Sequence, residues 1–133
     1  MEASVNHLAV FTAALSMFVI GGLWYSPMLF YKGWMKANRF GEGEPKTNKG
    51  LVFGLSFLFS LVMAYDLAFF ISGPDTTVSW AISAALLAGF GWAALSLAIV
   101  ALFEGRPSSY IFINGGYITV SFAVMGLILG LWR

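Results

Sequence analysis

Apolar positions gather into four long runs, residues 5–25, 50–72, 78–103 and 108–132, parted by short polar stretches. The third run sets the scale. Residues 78–103, VSWAISAALLAGFGWAALSLAIVALF, hold no Asp, Glu, Lys, Arg or His, and only Ser79, Ser83 and Ser96 break the apolar character. As a helix rising about 1.5 Å per residue the run is roughly 39 Å long, against a hydrocarbon core of ~30 Å. A helix in a soluble core would carry a polar stripe at helical spacing, and this one has none. It predicts a membrane span. With the other three runs as its neighbours, the chain reads as an all-α integral membrane protein, four transmembrane helices in an antiparallel bundle.

The connections add detail. The first run closes on Trp24, Tyr25, Ser26 and Pro27. Two amphipathic aromatics suit the headgroup level, and the proline cannot continue the helical ladder. In residues 28–40, Lys32, Lys36 and Arg39 fall at i, i+4 and i+7, with Phe30, Trp34 and Ala37 opposite. That spacing predicts a short interfacial helix, its bases toward lipid headgroups and its aromatics in the acyl boundary. Residues 41–49, GEGEPKTNK, form a polar linker. The tight connection 73–77, GPDTT, predicts that the second and third spans pack as antiparallel neighbours, with Thr77 or Thr76 capping the third. Residues 104–107, EGRP, make a tighter turn still.

Composition narrows the class. Of 133 residues, 59% are hydrophobic and only 10% charged, where a soluble domain carries about 25% charged. One membrane domain covering residues 1–133 follows. Four spans put the first and third connections on one side, and these hold Lys32, Lys36, Arg39, Lys46, Lys49 and Arg106, against Arg133 alone on the other. The bias predicts both termini outside, and Glu2 ahead of the first run agrees. That run is not read as a cleaved leader, since it lacks a basic n-region and a small-residue cleavage site. With no cysteine and one histidine, thiolate sites, cysteine nucleophiles and multi-histidine ligation within the chain are excluded. No cofactor and no nucleic acid is expected. The expected partners are the lipid bilayer and other membrane helices.

Few side chains could carry chemistry. Asp66 interrupts the second run, where a charged residue at the helix centre costs about 2.5–3.5 kcal/mol on insertion scales. It lies roughly 9 Å inside the end of that run, at a depth shared by His7, Thr12 and Ser83. Two readings stand: a functional acid paired with His7, or a carboxylic acid held by a hydroxyl or carbonyl partner. Asn114 shares a helical stripe with Tyr110 and Tyr117 and calls for an interhelical partner, Ser56 or Ser96 being at the right depth. Glu104 and Arg106 either neutralise each other in their turn or offer a docking point on the cytoplasmic face. Gly50 with Gly54, Ala85 with Gly89 and Gly126 with Gly130 recur at the four-residue spacing of close helix contacts. With one histidine, no cysteine and no acid pair at a shared depth, an enzyme is not expected.

Residues 22–27 (GLWYSP), Leu29, Phe30 and Trp34, then Met63-Ala64-Tyr65, residues 102–107 (LFEGRP), Ile113-Asn114 with Gly116-Tyr117, and Met125-Gly126 resemble a bacterial membrane family catalogued as domain of unknown function 1761. The resemblance covers nearly the whole chain. It implies a small four-span protein of the bacterial inner membrane and supplies no catalytic residues. Asp66 departs from the pattern, which has an apolar residue there. The leading reading is a non-catalytic helix-packing protein, an accessory subunit of a membrane complex or a homo-oligomer. The alternative is a small transporter or channel using Asp66 or the Asn114/Tyr117 stripe.

Overall fold

A computed structural model describes residues 5–41, 43 and 45–133; Glu2, Glu42 and Glu44 lie outside the described residues. The chain forms α1 (His7–Trp24), α2 (Tyr31–Ala37), α3 (Lys49–Phe70), α4 (Val78–Ala88), a π-helical segment (Gly89–Ala94), α5 (Leu95–Phe103) and α6 (Ser108–Leu131). The run from Val78 to Phe103 is continuous, so among the described residues four helices are long and apolar enough to cross a membrane. Three of them start on a side-chain cap. Asn6 Oδ1 accepts from the amides of Leu8 and Ala9, Asn48 Oδ1 from Leu51, and Thr77 Oγ1 from Trp80. Each cap satisfies amides that the first helical turn leaves unpaired.

The α5–α6 turn is built from its sequence in the same way. The Gly105 amide donates to the Leu102 carbonyl and the Arg106 amide to Ala101, the paired bonds of a Schellman motif. Gly105 takes φ 70°, a left-handed conformation that a Cβ would strain. Pro107 then stands at the N-cap of α6, where its missing amide costs nothing.

Helix α6 is the centre of the molecule. It packs against α1, α4, the π segment and α2, whereas α3 leans chiefly on α1. His7 at the start of α1 bonds Tyr65 near the end of α3, and the Arg133 guanidinium donates to the carbonyls of Gly73 and Thr76 in the loop after α3. These contacts define a terminal end of the bundle. Trp24 reaches the Ile113 carbonyl, which defines the opposite, α2 end.

The core lies toward the terminal end and is built from small side chains: Ala9, Ala13 and Ala14 of α1, Ala64 and Ala68 of α3, Ala81 and Ala85 of α4, with Met125 filling the centre. Small residues let backbones approach, and in lipid that close packing drives association. A methyl placed on Gly126 would sit 2.5 Å from Ala85 Cβ and 2.9 Å from the Ala81 carbonyl oxygen; one on Gly130 would sit 2.8 Å from Ala81 Cβ. The Ala85/Gly89 and Gly126/Gly130 spacings thus meet each other across one seam.

The π segment continues that seam. Buried small residues follow at Ala81, Ala85 and Gly89 in steps of four, then at Ala94 in a step of five. The wider π turn absorbs the extra residue and keeps the face on α6. It begins at a further close contact, where a methyl on Gly89 would lie 2.4 Å from Phe122 Cβ.

Three expectations are corrected. The second and third spans do not pack along their length despite the short loop: α3 pairs with α1, and the third span with α6. Matching small-residue faces, not loop length, select the partner. The short helix after the first span covers Tyr31–Ala37 rather than residues 28–40, and part of its apolar face packs on protein while Phe30 stays exposed. It ends at Ala37, so Arg39 (φ 59°) leaves the Lys32/Lys36 face, while Lys32, Lys36 and Arg39 all stay exposed. Ala37 is buried, and Trp34 packs on Tyr25 and Phe40 at 6.1 and 5.3 Å between ring centres. Finally, Gly54 has nothing within 4 Å of an added methyl, and Gly50 meets only its own cap, Asn48, so this pair makes no helix contact within the chain.

Candidate functional site

At the α2 end, aromatic side chains of α1 and α6 are exchanged onto each other's glycines. Trp24 Nε1 donates to the Ile113 carbonyl at 2.8 Å, and its ring lies over Gly116, where a methyl would come within 3.0 Å. In return Tyr117 covers Gly21, its hydroxyl donating to the Met17 carbonyl at 3.1 Å. The Tyr25 hydroxyl donates to Asn114 Oδ1 at 2.6 Å, and Asn114 Nδ2 donates to the Tyr110 carbonyl at 3.0 Å. Asn114 therefore bonds neither Ser56 nor Ser96. Ser60 donates back to the Ser56 carbonyl, and Ser96 lies on a different groove. Tyr25 is the C-cap of α1, and from there its long side chain spans the gap that a serine cannot. Sequence reasoning missed Trp24 and Tyr25 as partners. The signal was a glycine within one turn of an aromatic on both runs at the same end.

Glu104 and Arg106 stay in their turn, 3.5 Å apart, and the guanidinium lies 5.1 Å from the Tyr110 ring centre. Cation–π contact and ion pairing both hold the arginine against the start of α6.

Asp66 lies elsewhere. Four residues before the end of α3, it is about 6 Å from that helix terminus. It is exposed, and among the described residues it makes no hydrogen bond and no ion pair. His7 Nδ1 is instead 2.8 Å from the Tyr65 hydroxyl. Neighbouring helical residues point about 100° apart, so Tyr65 takes the α1 side and Asp66 is turned toward the third span. There it lines a groove of about 480 Å³ with Phe69, Phe70, Trp92, Ser96 and Phe122. Neither expected arrangement forms: not the His7–Asp66 pair, and not a carboxyl held by a hydroxyl or carbonyl. Among the described residues no group of three or more His, Cys, Asp and Glu is placed to hold a metal ion.

The family described as protein of unknown function (DUF1761) matches residues 8–130. The chain belongs to this family. No curated protein and no solved structure matches it. Several of the residues that carry the family resemblance also lock the fold: Trp24, Tyr25, Asn114, Gly116 and Tyr117 between α1 and α6, and residues 104–107 in the Schellman turn. Asp66 is not one of those residues, and among the described residues it makes no hydrogen bond and no ion pair.

Proposed function

We propose that this member of the family is a non-catalytic helix-packing protein of the bacterial inner membrane, a homo-oligomer or an accessory subunit of a membrane complex. One observation carries the reading. Two of the three small-residue pairs meet each other at contacts so close that a methyl would not fit, while Gly54 of α3 faces open space and Gly50 meets only its own cap. Glycine inside a helix costs about 1 kcal/mol relative to alanine, and in membranes it is offset where a second backbone approaches. The fully bonded state of Trp24, Tyr25, Asn114 and Tyr117 fits a structural role for them, which leaves Asp66 to a transporter.

The natural chain has no cysteine, so single introduced thiols report cleanly. A photoactivatable cross-linker on Gly54→Cys should capture a neighbour in native membranes: twice the chain mass for a homo-oligomer, another mass for an accessory subunit. The same label on Val19→Cys, an exposed α1 position, should not. Capture from Val19→Cys but not from Gly54→Cys would remove α3 as the assembly face.

We place both termini outside, on the strength of the Lys and Arg distribution. A reporter active only outside the membrane should work fused after Arg133 and fail when inserted at Glu44. The reverse pattern would invert the protein.

A further inference from the structure

We propose that the Asp66 groove is a binding site for lipophilic organic cations that enter it from the bilayer. This goes beyond assembly through α3 and does not depend on it. The carboxylate of Asp66 is exposed on a membrane-embedded helix with no hydrogen bond and no ion pair among the described residues. An intramembrane acid is normally paired, because leaving the charge without a partner in a poorly solvated place is costly. Here no described residue supplies the complementary charge. The groove around it supplies aromatic surface: Phe69, Phe70 and Trp92 are 60, 68 and 67% exposed, and all three line it. Aromatic faces attract cations through the ring quadrupole, most strongly where water is scarce.

The surroundings select the chemical class. A hard metal cation needs several oxygen ligands, and Asp66 is the one carboxylate lining the groove. A hydrated inorganic ion gains nothing from aromatic walls. An organic cation of a few rings satisfies both: its charge faces the carboxylate and its apolar body covers the aromatics. The volume of about 480 Å³ falls in the range of roughly 300–1,000 Å³ of small-molecule sites.

The π segment is a second, independent pointer. It lies in the opposite wall, and Trp92 belongs to it. The extra residue that keeps Gly89 and Ala94 on α6 changes the angle at which the residues between them leave the helix, and Trp92 is turned onto the groove, its ring 6.3 Å from that of Phe70. Such insertions in α-helices recur at functional sites.

The test uses the full chain in nanodiscs of zwitterionic lipid, titrated with tetraphenylphosphonium and, separately, with tetraphenylborate, an anion of the same shape. The wild type should bind the cation saturably and the anion not at all. Asp66→Asn should weaken the cation by about tenfold or more, and Trp92→Ala by about threefold to tenfold. In the wild type the cation should also protect Asp66 from modification by a hydrophobic carbodiimide, a readout that needs no variant to fold. Equal binding of cation and anion would reduce the groove to a generic apolar surface and overturn the proposal. Undiminished binding by a folded Asp66→Asn, or carbodiimide modification unaffected by saturating cation, would overturn it as well.

Discussion

Gly126→Ala should cost the protein about 2–3 kcal/mol, seen as a lowered unfolding midpoint when detergent-dispersed single chains are titrated with denaturant. The change is one methyl group. It arrives 2.5 Å from Ala85 Cβ and 2.9 Å from the Ala81 carbonyl oxygen, and a backbone carbonyl cannot rotate away as a side chain can. Helix α4 must shift as a body, which loosens the neighbouring contact at Gly130 too. Removing the facing methyl should help in part: Ala85→Gly in the Gly126→Ala background relieves the shorter contact and leaves the carbonyl one. Recovery should therefore be incomplete, and full recovery would show that the carbonyl contact is unimportant. Gly54→Ala, with open space around the added methyl, should change the same midpoint by no more than about 0.5 kcal/mol.

The other large effect is expected at Trp24. Trp24→Ala removes the ring that lies over Gly116 and the donor to the Ile113 carbonyl. Truncation of a buried tryptophan costs about 3–5 kcal/mol, and because Trp24 is only half-buried the lower end applies. Trp24→Phe should cost about 1 kcal/mol, since it keeps most of the ring and loses one hydrogen bond. The pair of variants separates packing from bonding. Equal losses in both would mean that the indole N–H, rather than the fit of the ring over glycine, holds α1 to α6.

The four spans were legible because the bilayer imposes a length and an apolar composition that few other structures share. The α4–α6 seam was legible too, as far as Ala85, Gly89, Gly126 and Gly130 at four-residue spacing can announce a close contact. Their spacing does not say which helix they face, and Gly50 with Gly54, equally well spaced, faces none in this chain. The π segment escaped because the step from Gly89 to Ala94 has meaning only once Phe122 is known to press on Gly89. The same gap explains α2. Periodicity separates Lys32 and Lys36 from Trp34 and Ala37, yet both lipid and protein accept an apolar face. At Asp66 the nearness to the end of α3 was legible in outline, but not the direction of the side chain, because Tyr65 rather than Asp66 meets His7.

Helix α6 touches almost every other element, and it is the last of the spans to be translated. Trp24 must wait 89 residues for the carbonyl it will bond. Chains grow from the N-terminus at about 5–20 residues per second, so α1 and α3 reside in the bilayer for some seconds before their common neighbour emerges. During that interval the α1–α3 pair has its own alanine contacts, while Trp24 lacks the glycine its ring will cover and the α4 face lacks its partner. Assembly is thus a late event in time, in which a final helix inserts between a waiting pair and a waiting single span.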